Sequence, residues 1–198
     1  MSSSEFTENG YASETEDGVE YTPHSMIHRG VLDMDPTKLD MLDNFERADS
    51  GYKYIPPESN IRVIITGRDW SEKRILIYGS DSTKEARQHF QDIIDQVHEI
   101  GHSAEQVRAL EITNIAVNGD FGEPLQLESV INSLRSEGLE VEYEPEQFPA
   151  VIVKLEELEV TFLLFSTGKF SIQGLITLDN IEKSINHILK YLGKSQYD

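Results

Sequence analysis

The chain has 198 residues, 38% of them hydrophobic and 9% aromatic, with 36 acids against 17 bases and no cysteine. That length holds one ordinary domain or two small ones sharing a core. The composition excludes a disulfide framework and a thiolate metal site, and no run reaches the roughly 18 apolar residues of a membrane helix.

The start, Met1-Ser-Ser-Ser-Glu-Phe-Thr-Glu, lacks the basic residues and apolar run of a secretory signal, so a soluble cytoplasmic protein is expected. The net charge of −19 repels phosphates under ordinary conditions. At molar ionic strength, where the Debye length is about 3 Å, that repulsion becomes short-ranged. The acidity is uneven: the stretch from Val160 onward is close to neutral.

Residues 1–25, rich in Ser, Glu, Thr and Gly, read as a disordered acidic tail. A short helix is predicted near Pro36–Phe45, then strands at Ile61–Thr66 and Arg74–Tyr78. A long helix follows over Ser82–Ile100, with Phe90, Ile93, Ile94 and Val97 as its apolar face. Leu110–Val117 reads as a strand and Leu125–Arg135 as a short helix ended by Gly138. Four strands come next: Leu139–Tyr143, Val151–Leu155, Val160–Ser166 and Lys169–Leu175. Thr167-Gly168 is the tight turn between the last two. Leu178–Leu192 closes the chain as an amphipathic helix, with Ile181, Ile185, Ile188, Leu189 and Leu192 on one side. Both halves end in strands followed by a helix. That predicts a unit of about 85–90 residues duplicated over 26–108 and 109–193, the first copy eroded. Strands in runs, each run followed by one helix, imply an antiparallel sheet with helices on one face.

The strand Val160–Ser166 carries the most information. Alternation puts Thr161, Leu163 and Phe165 on one face and Phe162 and Leu164 on the other. Both faces are apolar, although a sheet covered by helices on one side needs only one. Asn114, Ala116, Ile152, Lys154, Ser171 and Gln173 are assigned to the same second face as Phe165. Separately, His98-Glu-Ile-Gly-His102 spells the zinc pattern of two His at i, i+4 with Glu99 as general base. Gly101 falls where the helix should stop, which argues against it.

Several longer words resemble the TATA-binding protein family. They are Glu144-Pro-Glu-Gln-Phe-Pro-Ala-Val-Ile-Val and Phe162-Leu-Leu-Phe-Ser-Thr-Gly-Lys-Phe-Ser-Ile-Gln-Gly. Leu110-Glu-Ile-Thr-Asn-Ile-Ala-Val and the junction ending at Ile100-Gly101 belong with them, and the likeness covers about residues 83–193. The resemblance implies an α+β saddle: a curved antiparallel sheet from two pseudo-repeats, with two long helices on its convex face. It implies no enzyme and no cofactor or metal. The implied partner is A·T-rich double-stranded promoter DNA, held in the minor groove by apolar contact and deformation.

On this sequence the family's wedge phenylalanines, which pry open a base step, match Phe148 and Phe165. Asn114 matches a base-edge contact. Lys154 and Lys169 fall near phosphates, and Ala116, Ile152, Thr161, Leu163 and Gln173 complete the groove surface. Glu144 and Glu146 match the loop that binds a B-type transcription factor, and through it the RNA polymerase machinery. The first half departs from the pattern. Asn60 stands where a wedge Phe belongs, Tyr78 is the other candidate wedge, and no Gln-Asn pair lies near His28. Gln173-Gly-Leu-Ile also lacks a phosphate-side lysine. A saddle-fold interaction module that has lost DNA binding is therefore the rival expectation, with a zinc metallohydrolase through His98, Glu99 and His102 a remote one.

Overall fold

The computed structural model describes residues 3–67, 73–174 and 177–195. In chain order the elements are α1 (Ser3–Asn9), β1 (Ser13–Glu14), β2 (Glu20–Met34), β3 (Phe45–Ala48), β4 (Gly51–Tyr54), β5 (Arg62–Thr66) and β6 (Lys73–Ser80). Then come α2 (Thr83–Glu99), β7 (Ala104–Asp120), α3 (Leu127–Ser136), β8 (Glu140–Glu142), β9 (Ala150–Leu155), β10 (Val160–Phe165), β11 (Lys169–Gly174) and α4 (Leu178–Ser195). They divide into two compact units. The first holds Thr7–Gly10 and His24–Thr113; the second holds the residues up to Phe6, Tyr11–Pro23 and everything from Asn114. The long strands β2 and β7 each contribute to both.

In the first unit the strand order is β3-β4-β5-β6-β2, with the early part of β7 beside β2. The pairings from β3 through β2 are antiparallel. Alternation decides which side chains are buried: Leu32, Tyr52, Val63, Ile65, Ile75 and Ile77 form one cluster with Phe90, Ile93, Ile94 and Val97 of α2. Each such aliphatic side chain removed from water contributes roughly 1.5–3 kcal/mol before entropy is subtracted. α2 begins on Ser82, whose hydroxyl accepts from Glu85 N at 3.1 Å, while Glu85 accepts from Asp81 N at 2.8 Å. It ends where Gly101 takes φ +80°, with Gly101 N donating to His98 O and His102 N to Val97 O. This double return at a left-handed glycine is a complete helix stop.

In the second unit the order is β7-β11-β10-β9-β8. Val151, Val153, Phe162, Leu164, Phe170 and Ile172 are buried on one side of it. Buried faces of α3 (Val130, Ile131, Leu134) and α4 (Ile181, Ile185, Ile188) complete this core. Gly168 makes the β10–β11 turn at φ +91°, and its missing Cβ leaves room for the Glu123 carbonyl.

Three expectations are corrected. The disordered tail expected over 1–25 is corrected for its described residues, 3–25: α1 and the β1–β2 hairpin are formed, and Phe6 and Tyr21 are fully buried with rings 5.4 Å apart. Three apolar anchors, Phe6, Val19 and Tyr21, outweigh the acids around them. Pro36–Met41 is a 3-10 turn, and Phe45 opens β3 instead of ending a helix. Among the described residues the first unit also carries five strands, β2 to β6, of which β3 and β4 lie in a stretch too short and too polar to show alternation. The predicted strand end at Leu175 lies outside the described residues.

Candidate functional site

Antiparallel register places the side chains of the second unit's other face in rows. Thr161 of β10 is paired with Gln173 of β11 and Lys154 of β9. One step along, Leu163 is paired with Ser171 and Ile152, and Ser171 in turn with Asn118 of β7. At the turn end, Phe165 is paired with Ala150 of β9 and Lys169 with Asp120 of β7. Ala116 and Asn114 continue that side of β7, alternating with the buried Ile115 and Val117. Thr161, Leu163 and Phe165 are half-buried, whereas Phe162 and Leu164 are fully buried on the core side.

Phe148 sits in the loop before β9, 40% exposed, and its ring meets that of Phe165 edge-on, with centroids 6.2 Å apart at 71°. The loop is folded rather than loose, since the N–H groups of Gln147 and Phe148 both donate to the Glu144 carbonyl at 2.9 Å. Glu144 and Glu146 are exposed on it. Lys154 donates to Glu140 Oε1 at 2.6 Å and reaches Glu142 at 3.5 Å, both on the edge strand β8. The Glu140 hydrogen bond, above all, raises its pKa. A phosphate at Lys154 therefore has to compete with two carboxylates.

Beside these rows lies a groove of about 610 Å³. Phe165, Lys169, Ser171 and Asn118 line it from the sheet, and Ala12, Glu20 and Thr22 from the N-terminal hairpin. Sequence reading found the sheet side of this groove but not the hairpin side, because residues 1–25 read as a tail.

The first unit repeats the arrangement with different side chains. Across β5, β6 and β2, one row is Arg62, Tyr78 and Ile27; the next is Ile64, Leu76 and Arg29; the third is Thr66, Arg74 and Val31. Their register matches that of Thr161–Gln173 and Leu163–Ser171–Asn118, with Phe165 of β10 and Lys169 of β11 next along at the turn end. The counterpart of Phe165 is thus Thr66. Asn60, expected at a wedge position, precedes β5 and has no place in the rows. Tyr78 does face this side, covered by the Arg62 guanidinium at 5.0 Å from the ring centroid. Arg29, Arg62 and Arg74 escaped sequence reading. The inward turn of His28 and the glycine at 30 hid the alternation of β2.

His28 is buried and bonded to Ser80 Oγ at 3.0 Å and Thr83 Oγ1 at 2.9 Å. Burial, with help from Arg87, lowers its pKa to about 4, so the ring is neutral and structural. The zinc reading fails on geometry. α2 stops at Glu99, His102 lies beyond the left-handed Gly101, and His98 Nε2 is 3.0 Å from the Ala104 carbonyl. The two imidazoles do not share a helix face.

Fold and site together define an α+β protein that presents one open, mixed apolar and polar sheet face in each unit. Residues 109–195 match the family described as transcription factor TFIID, or TATA-binding protein. A TATA-box-binding protein of Archaeoglobus fulgidus is 32% identical over 60% of this chain and 64% of its own length. TATA-box-binding protein E of Halobacterium salinarum is 30% identical over 71% of this chain and 72% of its own. The TBP structure of Methanococcus jannaschii shares the fold, with TM-score 0.75 at 23% identity over 88% of this chain and 98% of that one. The chain belongs to the TATA-box-binding protein family, whose members are not enzymes.

Proposed function

We propose that this protein is a general transcription factor that binds A·T-rich promoter DNA through the open face of the second unit. The carrying observation is the edge-on Phe148–Phe165 pair beside Leu163 and Ile152. An exposed ring packed on a half-buried one at the end of an apolar row suits insertion between base steps from the minor groove. In that groove the hydrogen-bond code is degenerate, so Thr161, Ser171, Gln173, Asn114 and Ala116 need only tolerate A·T edges while deformation supplies selectivity. Lys169 lies beside Phe165, close enough to meet the backbone next to a kinked step.

The loop bearing Glu144 and Glu146 is the docking point for a B-type factor with a basic surface, through which the polymerase machinery is reached. No helix among the described residues is long and apolar enough to cross a membrane.

The experiment is a titration of fluorescent A·T-rich duplex from low to molar salt, with end-to-end energy transfer as the readout of bending. Binding with a bend, lost in Phe165→Ala, is the expected result. Absence of binding at every salt concentration favours the second reading, an interaction module of the same fold. The net charge of −19 and Thr66 in the place of Phe165 support that alternative. For the loop, Glu144→Lys with Glu146→Lys should abolish retention of a B-type factor on the DNA complex without changing DNA affinity at molar salt.

A further inference from the structure

The hairpin formed by β1 and the first residues of β2 belongs to the second unit. Its turn is built locally: Thr15 Oγ1 accepts from Val19 N at 3.1 Å, and Gly18, at φ +81°, donates to the Thr15 carbonyl at 3.0 Å. On one side Val19 and Tyr21 are buried along with Phe6, and the Tyr21 hydroxyl donates to Glu182 of α4 at 2.9 Å. Glu20 and Thr22 alternate with these residues and so face the other way. Both line the groove of about 610 Å³ that Phe165, Lys169 and Ser171 also line. The hairpin is therefore fixed by one side and walls the Phe165 end of the open face with the other.

That wall carries one sign of charge. From Tyr11 to Thr22 there are four acids and no base. Glu14, Glu16, Asp17 and Glu20 are all exposed, and none forms an ion pair among the described residues. Glu14 is the register partner of Glu20, and like charges directly opposite each other weaken an antiparallel pair. Stability does not explain this arrangement. Only two register pairs join β1 to β2, and so short a hairpin depends on the contacts of Phe6 and Tyr21 for its place.

We propose that the hairpin is a built-in barrier to duplex loading on the second unit, restraining approach to Phe165 and Lys169 until its charge is neutralised or its anchor is released. The inference rests on the DNA-binding reading above and adds a regulation of that site. A duplex whose backbone comes to lie beside Lys169 also comes beside Glu20, which lines the same groove. Repulsion from a cleft wall of one sign acts chiefly on the rate of encounter. At about 0.1 M salt, where the Debye length is about 10 Å, only carboxylates near the groove are felt there. The barrier is thus local and distinct from the net charge of the chain.

Stopped-flow association and dissociation of fluorescent A·T-rich duplex test it in the full-length protein, from low to molar salt. The hairpin variant carries E14Q, E16Q, D17N and E20Q together. A control variant removes the same charge from four exposed acids outside the hairpin, with E128Q, E156Q, E157Q and D179N. At about 0.1 M salt the hairpin variant should associate roughly tenfold faster than the parent with its dissociation rate unchanged, and the control within about twofold of the parent. Phe6→Ala, which keeps every acid, should also associate faster. Melting and proteolysis report whether each variant is folded; if Phe6→Ala unfolds throughout, the hairpin and control variants decide between them. A hairpin variant that binds where the parent fails supports the barrier. Equal gains in the hairpin and control variants overturn it, as does the parent's rate in the hairpin variant or in a folded Phe6→Ala. The DNA-binding reading then stands, provided that the parent binds and Phe165→Ala loses binding. If neither the parent nor any variant binds duplex at any salt, both fall.

Discussion

The rings of Phe148 and Phe165 meet edge-on at a centroid distance of 6.2 Å, one from a loop and one from the last residue of a strand. Only three residues before Phe165, on the opposite face, Phe162 is fully buried with its ring 5.9 Å from that of Phe170. The same residue type thus serves two ends on one strand, and the consequences of removing each should separate cleanly.

Phe165→Ala should weaken duplex binding about tenfold or more, the scale of one stacked aromatic, and change unfolding free energy by less than about 1 kcal/mol. Phe162→Ala should do the reverse at the level of the fold, costing about 3–5 kcal/mol through the cavity it leaves. Urea titrations of both variants beside anisotropy titrations decide the matter. Equal losses of stability would mean that Phe165 also belongs to the core.

His28 should make stability depend on pH. Its folded pKa of about 4 lies below the ordinary 6.5, so the unfolded chain takes up a proton that the folded one refuses. The neutral ring's contribution is fully present above pH 6.5, is lost progressively as pH falls, and is gone below about 4. The shift corresponds to about 3 kcal/mol between those limits. In His28→Gln the difference in unfolding free energy from the parent protein should shrink by that order from pH 7 to pH 4. A difference constant across the range would show that the histidine titrates normally.

Gly119→Ala should destabilise the second unit by about 1–3 kcal/mol. An added Cβ there would strike the buried ring of Phe170 and lie 2.8 Å from the Glu20 carbonyl. The corresponding Gly30 of β2 is crowded by Leu110 at 2.7 Å and Phe90 at 2.9 Å. Thermal melting of the two alanine variants tests this, and a melt unshifted for both would contradict the close packing of strand and ring.

Phe6→Ala should free the N-terminal hairpin. The substitution removes the ring against Tyr21, whose hydroxyl donates to Glu182 of α4 at 2.9 Å. Limited proteolysis should then cut within residues 5–20 of the variant at protease levels that leave the parent intact. Identical digestion patterns would argue for the tail that the composition alone suggests.

Much of the second unit was legible in the amino-acid sequence. The period-two alternation of Val160–Phe165, the Thr167-Gly168 turn and the helical spacing of Ile181, Ile185 and Ile188 are local signals. Each needs only neighbours in the chain to be read. The stop at Gly101 was legible for the same reason, since a left-handed position after a helix selects glycine wherever it occurs.

Other features were settled only by contacts between distant segments. Phe6 is one aromatic among acids until Tyr21 comes to lie beside it, and burial of both rings outweighs the local preference for disorder. Arg29, Arg74 and Arg108 stand far apart in sequence, and only the register of β2, β6 and β7 brings them to one cavity. The correspondence of Thr66 with Phe165 likewise rests on hydrogen-bonded pairing, because loop-length differences between the two halves shift any alignment made by eye. Sequence determined which segments of the second unit form strands and helices and which of their faces are apolar. Tertiary structure decided which charges and rings share a face, because cross-strand neighbours are set by register and not by order along the chain.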